Sequence, residues 1–285
     1  MSEGISARRL IVTADDFGRD IAINEAVEIA CRDGILTSAS LMVAAPAAAD
    51  AVARAHQLPR LRVGLHLVLI DGCPILPPEV IDGLVGREGR FRDNQIGVAL
   101  RYFFVPGMRA LLAAEIRAQF EAFRATGLAL DHVNAHQHLH LHPTVARLIV
   151  EIGRDYGMRA VRVPAEPEDV LRRSFPGERY RVPFYRPAAA GLRRRLRRAG
   201  LTTNDQVFGI AWSGAMIEER LLGLLPHLPL GLSELYCHPA TRTTDALAAA
   251  MPGYRHAEEL AALISPRVNQ RIAELGINII GYGDL

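Results

Sequence analysis

Several polar side chains of types that bind metals or transfer protons stand at the ends of apolar runs in the chain. They are Asp15, Asp16, His66, His136, His138, Arg162, Glu234 and His238. Carboxylate oxygens and imidazole nitrogens are common ligands of divalent metals, and the same groups serve as general acids and bases. If the fold brings these side chains together, their composition predicts metal-assisted hydrolysis.

Asp15 and Asp16 follow the apolar run 10–14 and precede Phe17 and Gly18. Adjacent residues on an extended strand point to opposite sides. If the chain turns at the end of the strand, one carboxylate can bind a cation while the other faces a substrate. The alternative is a pair of residues that cap the helix predicted from residue 21. The position directly after an apolar strand favours the site over the cap.

The segment richest in histidine is 131–143, DHVNAHQHLHLHP, in which residues 132, 136, 138, 140 and 142 are histidines. On one extended strand these side chains would share a face, with neighbours ~6.6–6.8 Å apart. Metal–nitrogen bonds are ~2.0–2.1 Å long, so a straight strand supplies one or two of them to a single metal. A surface histidine tract that binds metal without a function is the alternative.

One aspartate and two histidines from three different strands would form a three-ligand site with an open coordination position. That is the arrangement of catalytic metal sites, in which the metal activates water or polarises a carbonyl group. The remaining aspartate would then act as general base, and a separate histidine would protonate the leaving group. A lone histidine in an apolar strand, such as His66, is alternatively an ordinary core residue.

Apolar runs that alternate with helical periodicities are predicted to position these residues. Strands are expected at 10–14, 38–43, 62–70, 131–138, 160–163, 232–237 and 277–281. Strands that alternate with helices indicate parallel βαβ units, and their number favours a β/α (TIM-like) barrel formed by residues 1–285 as one domain. The C-terminal strand ends of such a barrel form its active-site face. Two long segments, 71–107 and 166–200, are interpreted as insertions at the rim.

Composition excludes several classes of protein. The chain has 285 residues, is 49% hydrophobic and carries a formal net charge of +2, which is unlike a disordered chain and argues against nucleic-acid binding. We find no apolar run of about 20 residues, as a membrane span would need. The start, MSEGISARRLIV, has a short apolar run without a small-residue cleavage site, so no signal peptide is expected there. Three cysteines, none in a CxxC pair, favour a reduced, cytoplasmic protein.

Four segments in chain order resemble the YdjC-like carbohydrate deacetylases: TADDFG at 13–18, GLHL at 64–67, HVNAHQHLHLHP at 132–143 and ELYCHPA at 234–240. The resemblance implies a distorted β/α barrel that removes acetyl groups from N-acetylated amino sugars with one divalent metal ion. It implies metal ligation by Asp16, His66 and His136. Asp15 would be the general base, and His238 the general acid or an oxyanion stabiliser.

The remaining strand-end residues, His138, Arg162 and Glu234, are expected to bind the substrate, and His138 is the second candidate for the general acid. One carboxylate and two imidazoles suit zinc best. The resemblance also allows magnesium, which prefers oxygen ligands.

Asn134 departs from the family pattern, in which many members have an aspartate. The version VNAHQHLHLHP is more similar to the hopanoid-biosynthesis-associated (HpnK) branch, which implies an N-acetylglucosaminyl hopanoid lipid as substrate. The basic stretch LRRRLRR at 192–198 and the apolar stretch YFFVP at 102–106 agree with a lipid. The arginines from Arg193 to Arg198 would contact an anionic membrane surface from the cytoplasmic side, and 102–106 would wall an apolar groove. A solvated helix face and a packed rim loop are the alternatives.

Other functions remain open at this point. The substrate is alternatively a free chito-oligosaccharide. The same ligands would also serve another metallohydrolase, such as a phosphoesterase, or a non-catalytic barrel that binds lipid or carbohydrate. A cysteine hydrolase is disfavoured, because Cys237 and His238 would point apart as neighbours on a strand.

Overall fold

The computed structural model describes residues 7–86, 88–178 and 186–285, and a curled sheet of parallel strands forms its centre. The strands are β1 (Arg8–Phe17), β2 (Ser38–Leu41), β3 (Arg62–Leu67), β4 (Val133–Ala135), β5 (Gln206–Phe208), β6 (Gly231–Cys237) and β7 (Asn278–Ile279). The order across the sheet is β4-β3-β2-β1-β6-β5, with β7 beside β1. Every one of these pairings is parallel. The predicted α/β fold, a distorted TIM-like barrel, is confirmed.

Helices cover the outside of this sheet. They are α1 (Ile21–Asp33), α2 (Ala48–His56), α3 (Gln95–Phe104), α4 (Met108–Ala125), α5 (Pro143–Gly153), α6 (Glu168–Ser174), α7 (Arg186–Arg198), α8 (Glu218–Leu224), α9 (Asp245–Ala250), α10 (His256–Leu263) and α11 (Pro266–Glu274). The last eight residues of β1 are all buried, as expected for a parallel strand covered on both faces. The buried ends of these strands are therefore the places where a polar side chain needs a partner or a ligand.

Beyond β4 the sheet continues through single bridges rather than through a full strand. Val161 bridges to β4, and Ala160 bridges to Thr202. Next to them the side chain of Asn204 replaces a strand pairing, since it accepts from Val163 N (2.6 Å) and donates to Val163 O (2.8 Å). The predicted strand 160–163 is thus reduced to isolated bridges, and the barrel is distorted on this side.

The predicted strand 131–138 is wrong beyond Ala135, because β4 ends there. The following segment, His136–Leu141, is a 3-10 helix interrupted by Gln137 (φ 50°) and His138 (φ 56°), which are both left-handed. Alternation of side chains between two faces requires extended backbone, so the even-numbered histidines do not share one face. The turn instead sends His136 and His138 in directions that a straight strand would not allow.

Both segments predicted as rim insertions contain helices. Residues 71–107 form turns followed by α3, and 166–200 contains α6 and α7. Helix α7 buries Leu192 and Leu196 and packs against α5. Its Arg193 Nη2 donates to Asp205 O (2.5 Å), just before β5 begins. The basic end of α7 therefore lies at the N-terminal ends of the strands.

Two sequence predictions fall on residues outside the described ranges. The interpretation of the chain start concerns residues 1–12, of which 1–6 lie outside, and part of the second rim segment, 179–185, lies outside as well. In the described ranges, no single helix is long and apolar enough to cross a membrane. One pair, α3 with α4, bent by 114°, passes the same length and composition test when taken together.

Candidate metal centre and active site

Three side chains from the C-terminal ends of β1, β3 and β4 converge at one point. The carboxylate Oδ1 of Asp16 lies 3.2 Å from His66 Nε2 and 3.1 Å from His136 Nδ1. The two imidazole nitrogens are 3.4 Å apart. All three residues are buried, and one ligand atom of each lies within 4.8 Å of the others. The structure thus brings together the three residues predicted as metal ligands.

The backbone at the end of β1 explains how neighbouring aspartates take different directions. Asp16 has a left-handed conformation (φ 62°), and the register between β1 and β2 shifts between Ala14 and Phe17. Left-handed backbone is uncommon for residues other than glycine, and aspartate is among those that tolerate it best. The kink directs Asp16 towards His66 and His136 and leaves Asp15 directed towards Arg162.

The environment of Asp16 fits a bound cation. Its Oδ1 is buried and has no aligned hydrogen-bond donor among the described residues. Burial alone would raise the pKa of Asp16, but the charge of His136 holds it well below its usual range. Burial would lower the pKa of His136, and the Asp16 charge outweighs this and raises it to about 9. A carboxylate with two imidazoles in this geometry is a donor set for a divalent metal such as zinc.

Asn134 orients His66 for ligation. His66 Nδ1 lies 2.6 Å from Asn134 Oδ1, so Nδ1–H donates and Nε2 is left with a lone pair towards Asp16 and His136. The Asn134 amide also donates to Ser40 Oγ (2.9 Å) and, over 3.3 Å, to Asp15 Oδ1. Such outer partners fix the tautomer and direction of a ligating histidine.

Asp15 is held by a buried cation. Arg162 forms two hydrogen bonds to its carboxylate, Nη1 to Oδ2 (2.5 Å) and Nη2 to Oδ1 (3.0 Å). Burial favours the neutral acid, but the Arg162 charge outweighs it and holds the pKa of Asp15 well below its usual range. Asp15 is therefore ionised at neutral pH.

Arg162 and Glu234 lie beneath the site rather than in it. Both side chains are fully buried, and Arg162 Nη2 also donates to Glu234 Oε1 (2.8 Å). Glu234 in turn accepts from Thr13 Oγ1 (2.8 Å) and Tyr282 Oη (2.7 Å). The sequence placed these two residues at the substrate, whereas in the structure they support Asp15 from below.

A cavity of about 130 Å³ opens above the three candidate ligands. Its lining residues are Asp15, Asp16, Arg19, His66, Asp71, Ala135, His136, Gln137, His138, Ser213, Tyr236, His238, Ala250, Met251 and Tyr254. Small-molecule sites are concave and carry a few convergent polar groups, so this cavity is the candidate substrate site.

The pKa of each of the two candidate acids, His138 and His238, is lowered from its ordinary value. Burial and the nearby Arg162 charge lower the pKa of His138 to about 3. Burial also lowers the pKa of His238, but the carboxylates of Asp16 and Glu259 oppose the shift. Both rings are therefore neutral at neutral pH, and the opposing carboxylates favour His238 over His138 as the ring that gains a proton.

Several residues of the cavity escaped sequence reasoning. Arg19 Nη1 lies 3.3 Å from both Asp16 Oδ2 and His136 Nε2, and its Nη2 lies 3.8 Å from Asp71 Oδ2. Arg19 lies three residues past Asp16, and Asp71 directly follows the run 62–70. Both could therefore have been found from their positions just after strand-end motifs. Ser213 and Tyr254, which are joined by a 2.9 Å hydrogen bond, carry no local signal.

Comparison with known proteins places the chain in a family. The profile of the family described as YdjC-like protein matches residues 9–274. The chain belongs to the YdjC-like protein family. The resemblance seen in the four motifs is thereby confirmed at the level of the family.

Two relatives of the chain are named carbohydrate deacetylase. The protein of Geobacillus stearothermophilus is 31% identical over 276 residues, which is 96% of this chain and 97% of the relative. That of Vibrio vulnificus CMCP6 is 31% identical over 282 residues, covering 97% and 96% of the two chains.

One solved structure has the same fold throughout. It is that of a proposed cellobiose-phosphate cleavage protein from Enterococcus faecalis V583, with a TM-score of 0.78. The match covers 98% of this chain and 99% of the other, at 24% identity. At that identity the similarity extends to the fold alone.

Proposed function

We propose that the protein is a metal-dependent carbohydrate deacetylase, which hydrolyses the acetamide of an N-acetylated amino sugar. The observation that carries this proposal is the buried cluster of Asp16, His66 and His136 beside an ionised Asp15, at the floor of an open cavity. The names of the similar YdjC-like proteins agree with it.

Asp16, His66 and His136 would hold one divalent metal ion, with zinc first on the donor set and magnesium second. When bound, the metal supplies a Lewis acid that polarises an acetyl carbonyl and lowers the pKa of water. His136 must then lose its proton, since a metal ligates the neutral ring. Asn134 keeps the Nε2 lone pair of His66 available for the same purpose.

Asp15 would accept the proton of the attacking water, since Arg162 keeps its carboxylate ionised. The water oxygen bonds to the acetyl carbon, and the C–N bond breaks to give acetate and an amine. His238, after taking up a proton from solvent, would deliver it to the departing nitrogen from the cavity wall. His138, held neutral by burial, would contact the sugar.

For the finer substrate we propose an N-acetylglucosaminyl hopanoid, with a chito-oligosaccharide as the second candidate. The motif around Asn134 and the apolar stretch 102–106 support the lipid, and the relatives' names support the free carbohydrate. The protein would then work in the cytoplasm, at the inner face of the membrane. The arginines from Arg193 to Arg198 suit this contact poorly, since Arg193 donates to Asp205 O just before β5 begins and helix α7 buries its leucines.

Acetate release tests this function. Purified protein, loaded with zinc, is offered the N-acetylglucosaminyl lipid and an N-acetylated chito-oligosaccharide in parallel, with and without chelator. We expect release that chelator abolishes, and release from the lipid alone identifies the hopanoid branch. Release from the oligosaccharide alone keeps the reaction and rejects the lipid.

Absence of release from both substrates contradicts a deacetylase. Phosphate release from generic phosphoesters would then indicate another metallohydrolase. Binding of either substrate without turnover would indicate a non-catalytic barrel.

A further inference from the structure

Helix α3 exposes one continuous apolar face. Ile96, Leu100, Phe103 and Phe104 are 75%, 54%, 59% and 71% exposed, and Val105 follows at 39%. Spacings of three, four, seven and eight residues place side chains on one side of a helix. The opposite side anchors the helix, because Val98 and Tyr102 are buried and Tyr102 Oη donates to Leu69 O (2.6 Å). A large exposed apolar patch on an otherwise well-packed chain marks an interaction surface.

This face adjoins the mouth of the cavity. Gln95, at the first turn of α3, donates through Nε2 to Gln137 O (3.0 Å), and Gln137 lines the cavity. At the other end of the helix the Phe103 ring lies 5.8 Å from the ring of His142, which immediately precedes α5. Whatever covers the face therefore lies beside the entrance.

The charge around the face is positive. Between residues 88 and 109 the charged side chains are Glu88, Arg90, Arg92, Asp93, Arg101 and Arg109, four cations and two anions. Arg90 and Arg92 are exposed, and no acidic side chain interrupts α3 itself. Apolar side chains flanked by arginines are the composition of helices that lie in the interface of anionic membranes.

We propose that the α3 face, Ile96, Leu100, Phe103, Phe104 and Val105, docks on the surface of a lipid bilayer. The aromatic and aliphatic side chains enter the boundary between headgroups and acyl chains, and Arg90 and Arg92 meet anionic headgroups. The cavity mouth then lies at the membrane surface, where an amphiphilic substrate can reach it by diffusing within the bilayer.

A second copy of the chain is a poorer occupant. Stable protein interfaces use roughly 20–30 residues on each side, whereas the apolar face consists of five side chains on one short helix and its C-terminal neighbour. A bilayer requires no complementary shape, because binding strength scales with the apolar area buried and with the attraction to anionic lipids. The inference does not depend on the proposed deacetylase activity.

Vesicle co-sedimentation of the full chain tests the proposal. Wild-type protein is mixed with phosphatidylcholine vesicles, with and without phosphatidylglycerol, and the bound fraction is measured. We expect binding that strengthens with the anionic lipid and weakens with salt. The double variant Phe103→Ser with Phe104→Ser should lower the partition coefficient by about tenfold or more. Both side chains are exposed, so the variant should fold like the wild type.

The matched control is Leu230→Ser with Ile264→Ser. These apolar side chains are 58% and 36% exposed. Leu230 directly precedes β6, and Ile264 directly follows α10. The control should bind vesicles like the wild type. Hydrolysis of a water-soluble N-acetylated sugar should be equal in all three proteins, which separates failure of docking from failure of the proposed function.

Three results would overturn the proposal. One is that the wild type binds neither kind of vesicle. Another is that the phenylalanine variant binds vesicles as strongly as the wild type. The third is a dimer, detected by light scattering, that the phenylalanine variant alone dissociates, because the face would then be covered by a second copy.

Discussion

Asn134 illustrates how a neutral side chain can prepare a metal site. Its carbonyl oxygen accepts from His66 Nδ1, and its amide donates towards Asp15 and Ser40. An aspartate there would place a second negative charge beside Asp15. The amide instead orients both groups without adding charge.

We expect Asn134→Ala to lower metal affinity by about tenfold to a hundredfold, because His66 loses the partner that fixes its tautomer. Competition with a chromophoric chelator measures this directly. Asn204→Ala is the control, since Asn204 is also a buried asparagine, but its side chain bonds, among the described residues, to Val163 and Tyr282. Equal affinity in the two variants would show that Asn134 does not orient the ligand.

Substitution of the buried Arg162 is predicted to lower the free energy of unfolding strongly. Arg162→Gln would leave Asp15 and Glu234 buried without their cation, and breaking a buried pair in this way costs about 3–5 kcal/mol. Urea denaturation measures the free energy of unfolding.

Arg54 offers a matched control on the surface. It also contacts two carboxylates, Asp50 and Glu28, but is 25% exposed. Arg54→Gln should therefore cost about 1 kcal/mol or less. Similar losses in both variants would contradict the distinction between the two networks.

At the scale of elements, long periodic segments could be predicted from the sequence and irregular ones could not. The strands at β1 and β6 and the helices α1, α5 and α11 follow from apolar spacing, Pro143 and Pro266 at first turns, and Gly34 after α1. The segment His136–Leu141 has no glycine or proline to mark its turn. Its alternating histidines imitate a strand, and only tertiary packing reveals the left-handed residues.

The left-handed backbone at Gln137 leads to a prediction about that segment. A β-branched residue is strained at φ 50°, whereas glycine is not. We expect Gln137→Val to lower the free energy of unfolding by about 1–2 kcal/mol relative to Gln137→Gly. Urea denaturation of the two variants tests it, and equal stability would show that the turn relaxes without strain.

At the scale of the whole molecule, burial of neutral histidines predicts sensitivity to acid. His140 is fully buried, and its Nε2 lies 3.1 Å from Arg162 O, to which it donates. Burial lowers its pKa well below the ordinary value. Because the unfolded chain then binds the proton more readily, stability falls as the pH falls below about 6.5.

We expect His140→Gln to remove part of this loss. Between about pH 7.5 and about pH 5.0 the variant should lose about 2 kcal/mol less than the wild type. Urea denaturation at the two pH values gives the difference, and His56→Gln controls for the loss of an exposed imidazole. A loss in the His140 variant equal to that of the wild type would contradict the prediction.

Across the whole molecule, the sequence located the ends of the strands but not the depth of each side chain. The three candidate ligands came from motifs, and the parallel fold brings them within reach. Arg162 and Glu234 were predicted to contact the substrate because they also lie in predicted strands. Their full burial beneath the site follows from the curl of the sheet, which the sequence does not show. Ser213 and Tyr254 meet only through the packing of the segments before α8 and α10, which no local pattern indicates.

The most direct test of the proposed chemistry compares Asp15→Asn with Asp16→Asn in two measurements, bound metal per chain and acetate release. We predict that Asp15→Asn keeps near wild-type metal content and loses turnover by at least about a hundredfold, as removal of a general base does. Asp16→Asn should lose the metal and turnover together. Loss of metal from Asp15→Asn, or near wild-type turnover in either variant, would contradict the division of roles between the two aspartates.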